Sequence, residues 1–221
     1  MSDWHWLALF TLGAYHGLNP AMGWLFAVAL GLQEKSRLAV FRSIAPLGLG
    51  HVISVGLAVL VVQLARGALQ QRSLQIATAV LLIGFGLYRL IRSRHFRWVG
   101  MRVGARDLAV WSFLMSSAHG AGLMLAPIIL GMPASPHQEH AHTVAMAAIN
   151  PSTGGMTSSG IVLPVAAHSL GYLLVTCALA FLVYEKLGVA VLRRAWLNLD
   201  FLWAGALIGI GLLSLLAAIL V

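Results

Sequence analysis

Apolar residues dominate the chain in six long stretches, near 5–32, 44–65, 74–91, 108–131, 160–184 and 201–221, separated by short polar segments. Each is close to the roughly 20 residues that carry a helix through the hydrocarbon of a bilayer. The pattern predicts an all-α integral membrane protein with six transmembrane helices. The first stretch is the longest, and Gly17, Pro20 and Gly23 mark it as a candidate helix break.

The polar segments set an orientation. The first, third and fifth hold Lys35, Arg37 and Arg42; Arg92, Arg94, Arg97, Arg102 and Arg106; and Lys186, Arg193 and Arg194. The second has only Arg66 and Arg72, and the fourth, residues 132–159, has no Lys or Arg. Basic loops stay cytoplasmic, so both termini and the fourth loop are expected outside an inner or plasma membrane. The N-terminus lacks a basic leader region and is expected to remain as the first helix.

Composition narrows the class further. Of 221 residues 60% are hydrophobic and 9% charged, and mean hydropathy is +0.89. A soluble domain carries about 25% charge. The net charge of +8 lies in loops, where it reads as a topology anchor facing lipid headgroups rather than as a nucleic-acid surface. The lone cysteine, Cys177, excludes a disulfide framework within one chain. Expected partners are the bilayer, a metal ion or small solute, and a second copy of the chain.

The two halves repeat. "AYHGLNPAMGWL" is answered by "SAHGAGLMLAPI", "GLGHVISVGLAVL" by "VAAHSLGYLLVTC", and "LLIGFGLYRL" by "ALIGIGLLSL". In order these carry His16-Gly17 and His119-Gly120, then His51 and His168, then Ile-Gly-X-Gly-Leu at 83–87 and 208–212. Three helices per half invert the second against the first. The expectation is one membrane domain, 1–221, built as two inverted-topology three-helix repeats, 1–95 and 106–221. Asn19 and Pro20 do not recur, so the broken helix is expected in the first half alone.

Ionisable groups inside a membrane are expensive and mark function. His16, His51, His119 and His168 fall within the predicted spans, whereas Asp3, Glu34, Asp107, Glu139, Glu185 and Asp200 lie near ends or in loops. A carboxylate cage for Ca²⁺ or Mg²⁺ is therefore disfavoured. Imidazole suits Ni, Co, Zn, Cu and Fe. The expected metal site is His16, His51, His119 and His168 with Asn19, one helical turn after His16. Carbonyls freed by a break could add to it. His137, Glu139, His140 and His142 of the fourth loop form a candidate metal-capture cluster. Gly84, Gly86, Gly209 and Gly211 are expected to permit close helix packing, and Trp4, Trp6, Trp98 and Trp111 to form interfacial belts.

Six helices in two halves, the helix-borne histidines, a "GH" opening the second helix, "LLIGFGLYRLIR" and a His-bearing loop resemble the nickel/cobalt transporter (NicO-type) branch of the LysE-like transporter superfamily. The resemblance implies passage of a divalent transition metal, with His16 as the first-helix histidine and His51 as that of the "GH" helix. Four residues after its histidine that branch carries an aspartate and a second histidine; here Pro20 follows Asn19. The expected function is transport or export of a divalent transition metal through the four-histidine site. The alternatives are a membrane enzyme holding a permanent metal centre, with haem less favoured, and a small-solute transporter. An enzyme is less favoured than a transporter.

Overall fold

The computed structural model describes residues 3–91, 103–131, 158–187 and 199–220. The loop histidines His137, His140 and His142, with Glu139, lie outside the described residues, as does most of the third basic segment.

All secondary structure in the described residues is helical. The elements are α1 (Asp3–Leu18), a 3₁₀ turn at Pro20–Met22, α2 (Trp24–Glu34), α3 (Arg37–Ala68), α4 (Gln71–Ile91), α5 (Ala105–Ala118), a 3₁₀ turn at Leu123–Leu125, α6 (Ala126–Gly131), α7 (Ser158–Leu182) with a π turn at Val183–Leu187, and α8 (Leu199–Leu220). Four helices are long and apolar enough to cross a membrane, containing Arg37–Ala68, Gln71–Ile91, Ile161–Lys186 and Phe201–Leu220. The pair α5 and α6, bent by 47°, makes a fifth if counted as one span. The first apolar stretch is two helices of 16 and 11 residues, each shorter than a bilayer requires.

The first break has a local cause. Pro20 opens the 3₁₀ turn, Asn19 caps it by accepting Ala21 N–H at 3.0 Å, and Gly23 turns the chain at φ 126°, a left-handed-side value that favours glycine. Gly17 lies within α1 and serves packing, since a β-carbon there would meet Tyr172 O at 2.7 Å.

The expectation that only the first half is broken is corrected. α5 stops at Ala118, Gly120 turns at φ 68°, and a second 3₁₀ turn follows at Leu123–Leu125. Each turn opens four residues after its histidine, His16 or His119. The second break needs no Asn-Pro because a positive-φ glycine performs the reversal, and Pro127 stands in the first turn of α6, where a missing N–H costs nothing.

The helices associate in three pairs: α1 with α7, α3 with α5, and α4 with α8. Glycines let backbones touch. A β-carbon on Gly13 would lie 1.8 Å from His168 O, one on Gly171 2.2 Å from Phe10 O, and one on Gly50 2.1 Å from Ala109 O. In the α4–α8 seam the contacts are reciprocal. A β-carbon on Gly86 would meet Ala204 O at 3.0 Å and Ile208 Cγ1 at 2.7 Å; one on Gly211 would meet Ala79 O at 3.0 Å and Ile83 Cγ1 at 2.7 Å. Gly84 and Gly209 have nothing within 4 Å, so of the four expected packing glycines only Gly86 and Gly211 serve this seam.

The core is layered along the bundle. One end packs Leu9, Val55, Val59, Leu125, Ile129 and Val165 together. The other packs Trp24, Val28, Val40, Leu108, Ala180 and Val183. At the first end Arg66 donates to Ile129 O (3.3 Å) and Gln71 to Leu130 O (3.0 Å). At the second, Arg37 pairs with Glu185 through two contacts, at 2.6 and 2.9 Å. Arg66 and Gln71 thus lie at one end of the bundle and Arg37 and Glu185 at the other. Most exposed large residues are Leu, Ile, Val and Phe, the covering a lipid-facing surface needs.

Candidate functional site: a buried histidine cluster

The middle layer holds Met22, Leu82, Met115, Met124, Tyr172, Trp203 and Leu207, and His16, His51, His119 and His168 lie against it. All four are buried, His16, His51 and His168 at 0% exposure. Three converge. Ring centroids are 4.9 Å apart for His16 and His168, 5.4 Å for His51 and His168, and 6.1 Å for His16 and His51. The glycine contact of α1 on α7 brings His16 to His168, and the α3–α5 pairing fixes His51.

Each ring is held by Nδ1. That atom lies 2.8 Å from Leu12 O in His16, 3.3 Å from Leu9 O in His168 and 2.9 Å from Ser116 Oγ in His51. A carbonyl can only accept, so Nδ1 of His16 and of His168 carries the proton and Nε2 presents a lone pair. Ser116 Oγ also lies 4.0 Å from Met22 Sδ, and a hydroxyl can either donate to His51 Nδ1 or accept from it. The Nε2 atoms of His16, His51 and His168 are all buried and without a hydrogen-bond partner. A buried polar nitrogen left unpaired costs about 1–3 kcal/mol, and three of them lie in one place.

His119 stands apart. Its Nδ1 donates to Met115 O at 2.8 Å, and its Nε2 lies 2.9 Å from Arg89 Nη2. Arginine is donor only, so His119 Nε2 is the acceptor and its lone pair is engaged. Trp203 fills the space between, edge-on to His16 (4.4 Å) and to His119 (5.6 Å), and donates Nε1–H to His119 O at 2.7 Å. Arg89 stands in the last turn of α4, just before the basic segment read as a topology anchor, and reaches back to His119.

Asn19 is buried, but its Oδ1 is used in the cap and its Nδ2 has no partner. It offers a free donor at Nδ2, with one lone pair of Oδ1 committed to the cap. The carbonyls freed by the first break are also used: Leu18 O accepts from Trp24 Nε1 (3.2 Å), Ala21 O from Trp111 Nε1 (3.1 Å) and Met22 O from Tyr172 OH (2.8 Å). Trp111 is therefore half-buried against the break instead of joining an interfacial belt. Tyr172 also stacks on His51 at 3.8 Å. Sequence reading missed Tyr172, Trp203 and Arg89. An aromatic one turn after His168 and an arginine three residues beyond the glycine pair were the available signals.

Among the described residues no three His, Cys, Asp or Glu side chains form a ready metal-holding group in this conformation. The rings are close, but they pack edge-to-face or stacked and do not point at one centre. Comparison with known protein families, curated proteins and solved structures finds no match to this chain.

Proposed function

We propose that the protein is a transporter of a divalent transition metal ion, with His16, His51 and His168 as the ligands and the ion as substrate. The observation that carries this reading is the set of three unpartnered Nε2 atoms in one fully buried cluster. Metal–nitrogen bonds of about 2.0–2.1 Å in tetrahedral geometry place ring centroids about 5 Å apart, and the measured separations are 4.9 to 6.1 Å. To hold one ion the rings would have to turn from their packed orientation and give up part of their Nδ1 contacts. The site is neutral, which suits Ni, Co, Zn, Cu or Fe over Ca²⁺ or Mg²⁺.

We read the chain as an inverted repeat of two three-helix halves, an arrangement that favours transport over simple storage. Both halves break their first helix beside a histidine, and the α4–α8 seam is reciprocal at the positions matched in sequence. Discontinuous helices at a repeat interface near mid-membrane are a usual setting for a transported ion. In this reading α1–α2 and α5–α6 each count as one crossing, giving six, with both termini outward. The resemblance to the nickel/cobalt branch points to the same class of cargo.

The complete burial of the three histidines favours one second reading, a resident metal centre. Transport of Co²⁺ or Ni²⁺ into proteoliposomes tests the first reading. Wild-type flux, with loss in His16→Ala, His51→Ala and His168→Ala, is expected. Absence of flux together with one tightly held metal per chain would select the second reading instead.

A further inference from the structure

The histidines form two sequence-equivalent pairs, His16 with His119 and His51 with His168. Exchanging the halves turns the cluster His16–His51–His168 into His119–His168–His51. The pair His51 and His168 is common to both sets. Only one histidine changes, and the structure shows one arrangement, with His16 in the cluster and His119 outside it.

His16 and His119 are anchored alike, Nδ1 to the carbonyl four residues earlier, at 2.8 Å in both. The difference lies at Nε2. His16 Nε2 has no partner, whereas His119 Nε2 accepts from Arg89. Arg89 lies two residues after the Ile-Gly-X-Gly-Leu of α4; two residues after that of α8 stands Ser214. Trp203 precedes the α8 motif by five residues, and Thr78 precedes the α4 motif by five. The Thr78 hydroxyl is turned back to Leu74 O. The groups that engage and wall off His119 therefore have no counterparts for His16.

We propose that Arg89 is a latch that keeps His119 out of the metal site, and that His51 and His168 are shared between two alternative three-histidine sets, completed by His16 in one conformation and His119 in the other. This rests on the metal-site reading above and gives it an alternating mechanism. The ion stays on the central pair while its third ligand is exchanged between halves. Arg89 is a positioning residue. It competes for one lone pair and does not touch the ion.

Co²⁺ is the probe, titrated into the full chain in detergent after chelator treatment, with its ligand-field absorption and affinity as readouts. Wild type is expected to bind, and His16→Ala to lose at least the roughly 100-fold that loss of a mere supporting group can cost. Adding Arg89→Met to His16→Ala should restore affinity to within about tenfold of wild type, because His119 Nε2 is released. Adding His119→Ala to that double variant should abolish the recovery, and Arg89→Lys, which keeps a donor, should not rescue. No rescue by Arg89→Met or by the milder Arg89→Gln, in protein of native helicity and elution volume, overturns the latch and leaves the three-histidine reading standing. A wild-type chain that binds no Co²⁺ overturns both.

Discussion

Gly13 lies so close to His168 that a β-carbon at position 13 would fall 1.8 Å from the His168 carbonyl oxygen. The obstacle is backbone, which cannot rotate away, so α1 must retreat from α7. Overpacking in a tight core costs about 1–3 kcal/mol, and Gly13→Ala is expected at or above the upper limit. Thermal unfolding in detergent measures the loss. Gly84→Ala, with nothing within 4 Å, should leave the midpoint nearly unchanged or raise it slightly. Equal effects at the two positions would refute the close approach.

Tyr172→Phe keeps the ring stacked on His51 but removes the hydroxyl that satisfies Met22 O. A buried carbonyl left unpaired costs about 1–3 kcal/mol. The expected result is a lower unfolding midpoint, with faster hydrogen exchange at the Pro20–Met22 turn than elsewhere. Uniform exchange across the molecule would contradict the link.

Gly120 has φ 68° and faces Phe85. Any L-residue there meets the left-handed penalty of about 1–2 kcal/mol. Gly120→Ala should destabilise by at least that much and should alter how His119 meets Arg89. Wild-type stability in this variant would mean the second break does not depend on the glycine.

Arg37 and Glu185 join the two helix ends through a bidentate pair, yet Arg37 is 73% exposed. Exposed pairs contribute about 0–1 kcal/mol. Glu185→Gln is expected to shift stability by no more than this, and the shift should shrink as salt is raised. A salt-independent loss of several kcal/mol would place the pair in a far more buried setting.

Length, hydropathy and basic loops made the long helices readable because a bilayer imposes a simple rule on them. The histidines were legible for the same reason, since polar groups are rare there. What the pattern could not reveal was which lone pairs are already used. His119 looks equivalent to His16 in sequence, and Arg89 and Trp203, which have no counterparts in the other half, distinguish them. Asn19 follows His16 by one turn, and the proline after it gives it a capping role that the spacing did not show. The second break was hidden because a glycine with positive φ looks the same in sequence as one that packs.

The pairing of α1 with α7 and of α3 with α5 also constrains how the chain is made. α1, α3 and α4 each find their main companion in the later half, while α2 packs chiefly on α3, so the faces of α1 and α3 that carry His16 and His51 are covered only by later helices. Neither half owns a finished interior. The N-terminal helices must wait in the membrane until α5 and α7 arrive, and assembly is an event of the complete polypeptide. A truncation after α4 would insert and then present its polar histidines to quality control.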